Sequence, residues 1–416
     1  MNIVSMSLKN LRFRPLSAVF NVLVLALGIA TIVALLHVSK EVEDRFSRDA
    51  EGVDLVVGAK GSPIQLILSS VFHLDAPTGN IPLADAEKIE HSNLVKSAIP
   101  LALGDSYHGF RIVGTTPDYP KHYNASFVAG NYWTEPMQAV LGSEAARASG
   151  LSVGQKFTGQ HGLEENGEEH AHAPYSVVGI LTPTGTVADR LIFTDLASVW
   201  NVHEHHDTPE AGSVWDAHDH PNKNDAAPEH AAPPNREITS LLITYRSPLA
   251  MASLPRLVNK TGSLQAASPA LEMARLIHIL GIGGETIRFF GLSLIIIAGA
   301  GFFVTLWGAV ADRGYDIALM RMLGATRKRI FSFVLAEGLA LGILGVGLGL
   351  ILGHVLAYAA ERSIETSRHI TLTSIGFHPL EGYVIFVALG LSAVVALIPA
   401  VMAYRINVAT VLSRGV

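Results

Sequence analysis

Residues 16–38 read LSAVFNVLVLALGIATIVALLHV, a run without one formal charge. A helix of about 20 apolar residues spans the ~30 Å hydrocarbon core of a bilayer. This run meets that length. Three more do so further along the chain: residues 289–310, residues 331–360 with Glu337 near their start, and residues 382–403, GYVIFVALGLSAVVALIPAVMA. One such run could be a buried core helix, but four predict an α-helical membrane protein with four transmembrane helices. Composition agrees: 49% of residues are hydrophobic and 16% charged, against roughly 25% charged in soluble domains. A mean hydropathy of +0.35 excludes a wholly soluble or wholly disordered chain. The net charge of −6 gives no reason to expect a nucleic-acid partner. Cysteine is absent, which removes disulfides, thiolate catalysis and Cys-based metal sites and leaves the redox compartment open.

Short basic flanks set the expected orientation. Lys9, Arg12 and Arg14 precede the first run, while Arg313, Arg321, Arg327, Lys328 and Arg329 crowd the segment between the second and third. Arg405 and Arg414 follow the fourth. All three flanks fall on one side of a four-span path, and basic loops stay in the cytoplasm. The expected order is a cytoplasmic amphipathic N-terminus (1–15), a first span (16–38), a large extracytoplasmic domain (39–284) and a second span (289–310). A cytoplasmic loop (312–329), a third span (331–360), an extracytoplasmic loop (361–381), a fourth span (382–403) and a cytoplasmic tail (404–416) complete it. The first run is long for a signal peptide and no small-residue cleavage site follows, so it reads as an uncleaved anchor.

The inserted domain is long enough to fold independently. Strand-like runs at 53–57, 110–113, 175–181 and 238–245 are bounded by Gly, Thr, Ser or Pro. Helices are expected at 83–91, after a Pro, and at 143–148, closed by Ser149-Gly150. The mixture predicts an α+β domain, in one lobe or two. Helix-like stretches at 40–48 and 271–290 would form a stalk continuous with the first and second spans.

Residues 312–338 read DRGYDIALMRMLGATRKRIFSFVLAEG. Tyr315, Leu319, Met322 and Leu323 stand at i, i+4, i+7 and i+8, one apolar stripe on a short helix. Such a helix either docks into a partner's groove or lies on lipid, and spacing alone does not choose. In the third span Gly338, Gly342, Gly345, Gly349 and Gly353 follow steps of four, three, four and four. They share one face where small residues let backbones approach, within the bundle or across a dimer. Asn21, Glu337 and His354 are the polar groups worth testing inside the spans, and no chain of ionisable groups for an ion pathway is read.

The same segment resembles the cytoplasmic loop of MacB/FtsX-like ABC transporter permeases, with an E-I-x-x-x-R-x-L-G-A pattern, a basic cluster and a Gly-rich helix carrying an early Glu. The matching residues are Asp316-Ile317, Arg321, Leu323-Gly324-Ala325, Arg327 to Arg329 and Glu337. Residues 140–144 (VLGSE), residues 177–180 (VVGI) and the order of one span, a large domain and three spans extend the resemblance over nearly the whole chain. Asp316 replaces the more usual Glu, and Asn407-Val408-Ala409 stands where the family often has a Pro. The resemblance implies that the 313–325 helix is a coupling helix seated on an ATPase, with Arg313, Tyr315, Asp316, Leu319, Arg321, Met322, Leu323, Gly324 and Ala325 forming the contact. It also implies a bacterial inner-membrane location and a dimer of permeases with two ATPases. No G-x-x-x-x-G-K-[ST] loop occurs, and the nearest string, residues 150–157, lacks the spacing. ATP hydrolysis is therefore expected from a separate subunit that binds the ATP, with no catalytic residue and no intrinsic cofactor here.

Histidine is unevenly placed: half of the 18 fall between residues 161 and 230. They are interleaved with acids, and imidazole with carboxylate suits zinc, copper or nickel. The expected metal ligands are His170, His172, His203, His205, His206, Asp207, His218, His220 and His230, mostly within a Pro-, Ala- and Asp-rich loop, 201–236. His203-Glu204-His205-His206 is not an H-E-x-x-H protease motif. A loop capturing zinc loosely and a solvated insertion are both compatible with this composition; a rigid catalytic site is not, because no spacing preorganises one. The function expected is an ABC permease that moves its periplasmic domain with the ATPase, in transition-metal handling with a periplasmic binding protein or adaptor. Export or extraction of a lipoprotein, lipid, peptide or drug, and regulation of a periplasmic hydrolase without transport, stay open.

Overall fold

The structure is a computed structural model and describes residues 15–162, 173–204, 236–368 and 379–406. The chain forms two compact units, one of Asp44–Ile277 and one of Met1–Glu43 with His278–Val416. Helix α1 (Pro15–Asp49) contributes residues to both. The Asp44–Ile277 unit continues with β1 (Leu55–Ala59), α2 (Pro63–Ser70), β2 (Ile81–Pro82), α3 (Leu83–Glu90), β3 (Val95–Tyr107) and β4 (Phe110–Thr115). Then come α4 (Asp118–His122), β5 (Phe127–Gly130), β6 (Gln138–Leu141), α5 (Ser143–Ser149), β7 (Lys156–Phe157), β8 (Gln160–His161), β9 (Tyr175–Leu181) and β10 (Leu191–Asp195). The unit closes with α6 (Leu196–Glu204), β11 (Glu237–Ile238), β12 (Ser240–Tyr245), α7 (Pro248–Lys260) and β13 (Leu264–Ala267).

One mixed sheet runs β13-β1-β12-β3-β4-β10-β6-β9-β5. Its pairs are antiparallel except β4 with β10 and β6 with β9. The long β3 joins the halves: its start pairs with β12 and its end with β4, with a register shift between Leu103 and Ser106. Alternate side chains of a strand point to opposite faces. Accordingly Val56 packs with Leu66 and Ile67 of α2, whereas Leu55 and Val57 pack with Leu254 and Val258 of α7. Both faces of this part of the sheet are therefore covered, and the expected α+β domain is present. The expected strand at 175–181 is β9. The 238–245 run is two strands broken at Thr239, whose hydroxyl accepts from the Leu103 N–H at 2.9 Å. The 143–148 helix ends at Gly150 in the left-handed region (φ +69°), where glycine has no Cβ to clash.

The second unit holds the remaining helices: α8 (Pro269–Asp312, from His278 on), α9 (Gly314–Met322), α10 (Arg327–Arg368) and α11 (Pro379–Arg405). Four of the chain's helices, α1, α8, α10 and α11, are long and apolar enough to span a membrane. The described residues of the expected 361–381 loop are helical at both ends. Residues 361–368 continue α10, and Glu381 lies in the first turn of α11. Charges such as Glu361 and Arg362 end the apolar run, but Glu and Arg are good helix formers and do not end the helix.

Backbones approach closely throughout this bundle. A Cβ on Gly338 or Gly342 would meet Ala396 at 2.5 Å or Ser392 at 2.6 Å, both on α11. Cβ atoms on Gly345, Gly349 and Gly353 would meet Leu25 at 2.6 Å, Ile29 at 2.8 Å and Val33 at 2.8 Å, all on α1. The glycine row thus serves two neighbouring helices of the same chain. The Asn21 side-chain N–H donates to the Thr305 hydroxyl at 2.7 Å, pinning α1 to α8 through one of the polar bonds that hold helices together in lipid.

Candidate functional site: the helix between the second and third spans

The geometry of α9 follows from its ends. Its chain leaves α8 at Asp312, and the Ile317 N–H bonds the Arg313 carbonyl to open the new helix. Asp316 in the first turn and Arg321 in the last both complement the helix dipole. The helix stops at Gly324, whose φ of +97° suits glycine. There the Gly324 N–H bonds the Arg321 carbonyl, and the Ala325 N–H bonds the Met320 carbonyl, the paired closure of a Schellman motif. Thr326 then opens α10, its carbonyl and hydroxyl both accepting from the Arg329 N–H. The Leu-Gly-Ala-Thr string is thus a stop and a start in four residues, which fixes the angle between α9 and α10.

One face of α9 is anchored. Ile317 is buried and clusters with Val310, Ile330, Val334, Ala400 and Ala403 from α8, α10 and α11. The Arg321 guanidinium donates to the Ile406 carbonyl. The other face is open: Tyr315, Leu319, Met322 and Leu323 are all exposed, Leu323 at 81%. A short helix with one face bolted to three spanning helices and an apolar row on the other can pass a push to all three. Arg327, Lys328 and Arg329 stand exposed at the N-terminal turn of α10, where cations oppose the dipole. That placement weakens the helix. The Arg327 guanidinium lies 5.8 Å from the Tyr404 ring centroid.

In the Asp44–Ile277 unit, the end of α1 is fixed by a buried cluster. Asp49, 1% exposed, accepts the Val187 N–H at 2.7 Å and lies 3.6 Å from Arg45 and 3.7 Å from Arg190. The Tyr123 hydroxyl donates to the Asp49 carbonyl at 2.8 Å. From the start of α8, Met273 and Leu276 pack against the same unit's core, beside Phe46 of α1. Both helices that enter the bundle are therefore rooted in the sheet unit.

Of the expected metal ligands, His170, His172, His205, His206, Asp207, His218, His220 and His230 lie outside the described residues, and His203 falls in the last turn of α6. Lys9, Arg12 and Arg14, with the tail from Asn407, also lie outside them. Sequence reasoning missed a different group. His37, His354 and Glu381 converge from α1, α10 and α11. Only His354 stood out beforehand, because His37 closes an apolar run and Glu381 sat just outside one.

Four helices long and apolar enough to span a membrane, a large domain between the first two and a short anchored helix between the second and third define a multi-pass membrane protein with a large inserted domain. Comparison with known families gives the same class. The MacB-like periplasmic core domain matches residues 18–226, and the FtsX-like permease C-terminal domain matches residues 288–408. The chain belongs to the MacB/FtsX-like permease family, whose members work with ABC ATPases. Among solved structures, the periplasmic region of MacB from Actinobacillus actinomycetemcomitans is similar at 13% identity and TM-score 0.34, covering 55% of this chain and 95% of that one. The extracellular domain of the noncanonic ABC-type transporter YknZ from Gram-positive bacteria is similar at 11% identity and TM-score 0.30, covering 51% and 99%. No curated protein sequence matches the chain significantly.

Proposed function

We propose that this chain is the permease subunit of an ABC transporter that carries ATPase motion across the bacterial inner membrane to its periplasmic unit, with both termini cytoplasmic. The observation that carries this is α9, anchored through Ile317 and Arg321 and exposing Tyr315, Leu319, Met322 and Leu323. A separate ATPase subunit binds and hydrolyses the ATP, and its closure pushes on that row. Through α8, α10 and α11 the push reaches the bundle, and α1 and α8, which supply residues to both units, carry it outward. A second permease copy completes the assembly. The cargo class we infer is a transition metal, zinc first, delivered to or taken from a periplasmic binding partner. Support comes from the composition of the 201–236 loop.

Reconstitution with the ATPase subunit tests the first part. Leu319→Asp should abolish permease-stimulated ATP hydrolysis while leaving the bundle folded, and full stimulation would refute the assignment. Deleting residues 201–236 tests the second. Loss of zinc-dependent growth and of zinc binding is expected, whereas unchanged growth would turn the search to lipoprotein, lipid or peptide cargo.

A further inference from the structure

We propose that His37, His354 and Glu381 form a binding site for one divalent transition-metal ion inside the helical bundle. This goes beyond the reading of the 201–236 loop and does not depend on it. Three different helices bring the groups together across long stretches of chain, with all three ligand atoms within 4.8 Å of one another. The His37 Nε2 lies 2.7 Å from one Glu381 carboxylate oxygen, and the His354 Nε2 lies 3.7 Å from the other. The imidazole rings stand 4.8 Å apart between centroids.

The tautomer of His354 sharpens the case. Its Nδ1 lies 2.9 Å from the Leu350 carbonyl. A carbonyl only accepts, so Nδ1 carries the proton and Nε2 is the ring nitrogen that faces Glu381. An outer hydrogen bond of this kind is what orients a metal-ligating histidine. An ion held at about 2.0–2.2 Å from nitrogen and oxygen ligands separates those ligands by roughly 3–4 Å, and the 3.7 Å gap falls in that range. His37 joins as a ligand once the proton on its Nε2 moves to Nδ1, with small side-chain rotations opening the 2.7 Å contact.

Burial gives a second reason. Glu381 is fully buried and His37 is 7% exposed, so an ion held between them would be shielded from water on that side. Two imidazoles and one carboxylate select zinc, cobalt, nickel or copper over magnesium or calcium. His354 is 40% exposed, so the site opens on that side. Three protein ligands with an accessible fourth position describe an exchangeable ion rather than a closed structural one. An ion there clamps α1, α10 and α11 together. Occupancy thereby sets how firmly α1, which runs on into the Asp44–Ile277 unit, is held by α10, which begins directly after α9.

Cobalt(II) titration of the full chain in nanodiscs, in a variant lacking residues 201–236, reads this site without the histidine loop. One equivalent with the visible d–d bands of a four-coordinate ion is expected. Glu381→Gln and His354→Gln should each remove it, while both variants keep the parent's metal-free melting temperature. No bound equivalent in the loop-deleted parent would overturn the site, as would equal binding by parent and both variants. Failure of the loop reading is separate: it would appear as no additional equivalents when residues 201–236 are restored.

Discussion

Removing the Asp49 carboxylate should loosen the root of α1 from the periplasmic unit by an amount the structure allows to be worked out. Asp49 is buried, lies 3.6 and 3.7 Å from Arg45 and Arg190, and accepts the Val187 N–H at 2.7 Å. Both arginines are also buried, so Asp49→Ala removes the nearest anion from two cations in a low-dielectric interior, with Glu144 remaining as a carboxylate that acts on both. Breaking a buried ion pair this way costs about 3–5 kcal/mol. Asp49→Asn removes the charge but keeps an acceptor for Val187, and should cost about 1 kcal/mol less. The Arg45 and Arg190 guanidiniums retain their donations to the Thr186 and Phe72 carbonyls, which limits the damage to the lost carboxylate. Replacing all three residues with Met, Leu and Met should recover only part of the stability, because the buried Glu144 then loses Arg45 and Arg190, two cations that act on it. Urea unfolding of the intact protein in detergent, followed by tryptophan fluorescence, measures each variant. Asp49→Ala within about 1 kcal/mol of wild type would refute the reasoning, as would a triple variant less stable than Asp49→Ala.

Three further outcomes are expected. In α10, a Cβ at Gly345 meets Leu25 at 2.6 Å, so Gly345→Ala should destabilise the bundle by about 1–3 kcal/mol, whereas a Cβ at Gly347 meets nothing within 4 Å and Gly347→Ala should be nearly silent; denaturation in mixed micelles compares them. Gly324→Ala puts a Cβ on a residue at φ +97° with open space around it, so the cost is backbone strain of about 1–2 kcal/mol, read as weakened ATPase stimulation without loss of the spanning bundle. Burial, with Arg111 and Arg190 nearby, pushes His73 well below the usual histidine range. The unfolded chain therefore takes up a proton below about pH 6.5 that the folded one refuses, and stability of the periplasmic unit should fall by about 1.4 kcal/mol per pH unit below that point. His73→Gln should flatten this part of the pH profile, and an unchanged slope would contradict the assignment.

Hydropathy made the spans legible because lipid demands long uninterrupted apolar helices. The Ser149-Gly150 cap and the Leu-Gly-Ala-Thr stop-start could be read because their chemistry is local. What sequence could not give was convergence over distance. Asp49 meets Val187 and Arg190, and His37 meets Glu381, only once the chain has folded. The extent of α10 past Ala360 was hidden for another reason: polarity ended the apolar signal but not the helix. The glycine row was visible as a face, yet its division between α11 and α1 depended on the rotation of the helix within the bundle.

The central claim is that the exposed row on α9 is the contact that receives ATPase motion. The most direct measurement places single cysteines at Leu319 and Met322 in this cysteine-free chain and cross-links them to the ATPase subunit in reconstituted complexes. The account predicts cross-links at both positions, and none from Ile343, which is also exposed but lies within the apolar run of α10. Absence of cross-links at Leu319 and Met322, in complexes that still couple ATP hydrolysis to the permease, would contradict it.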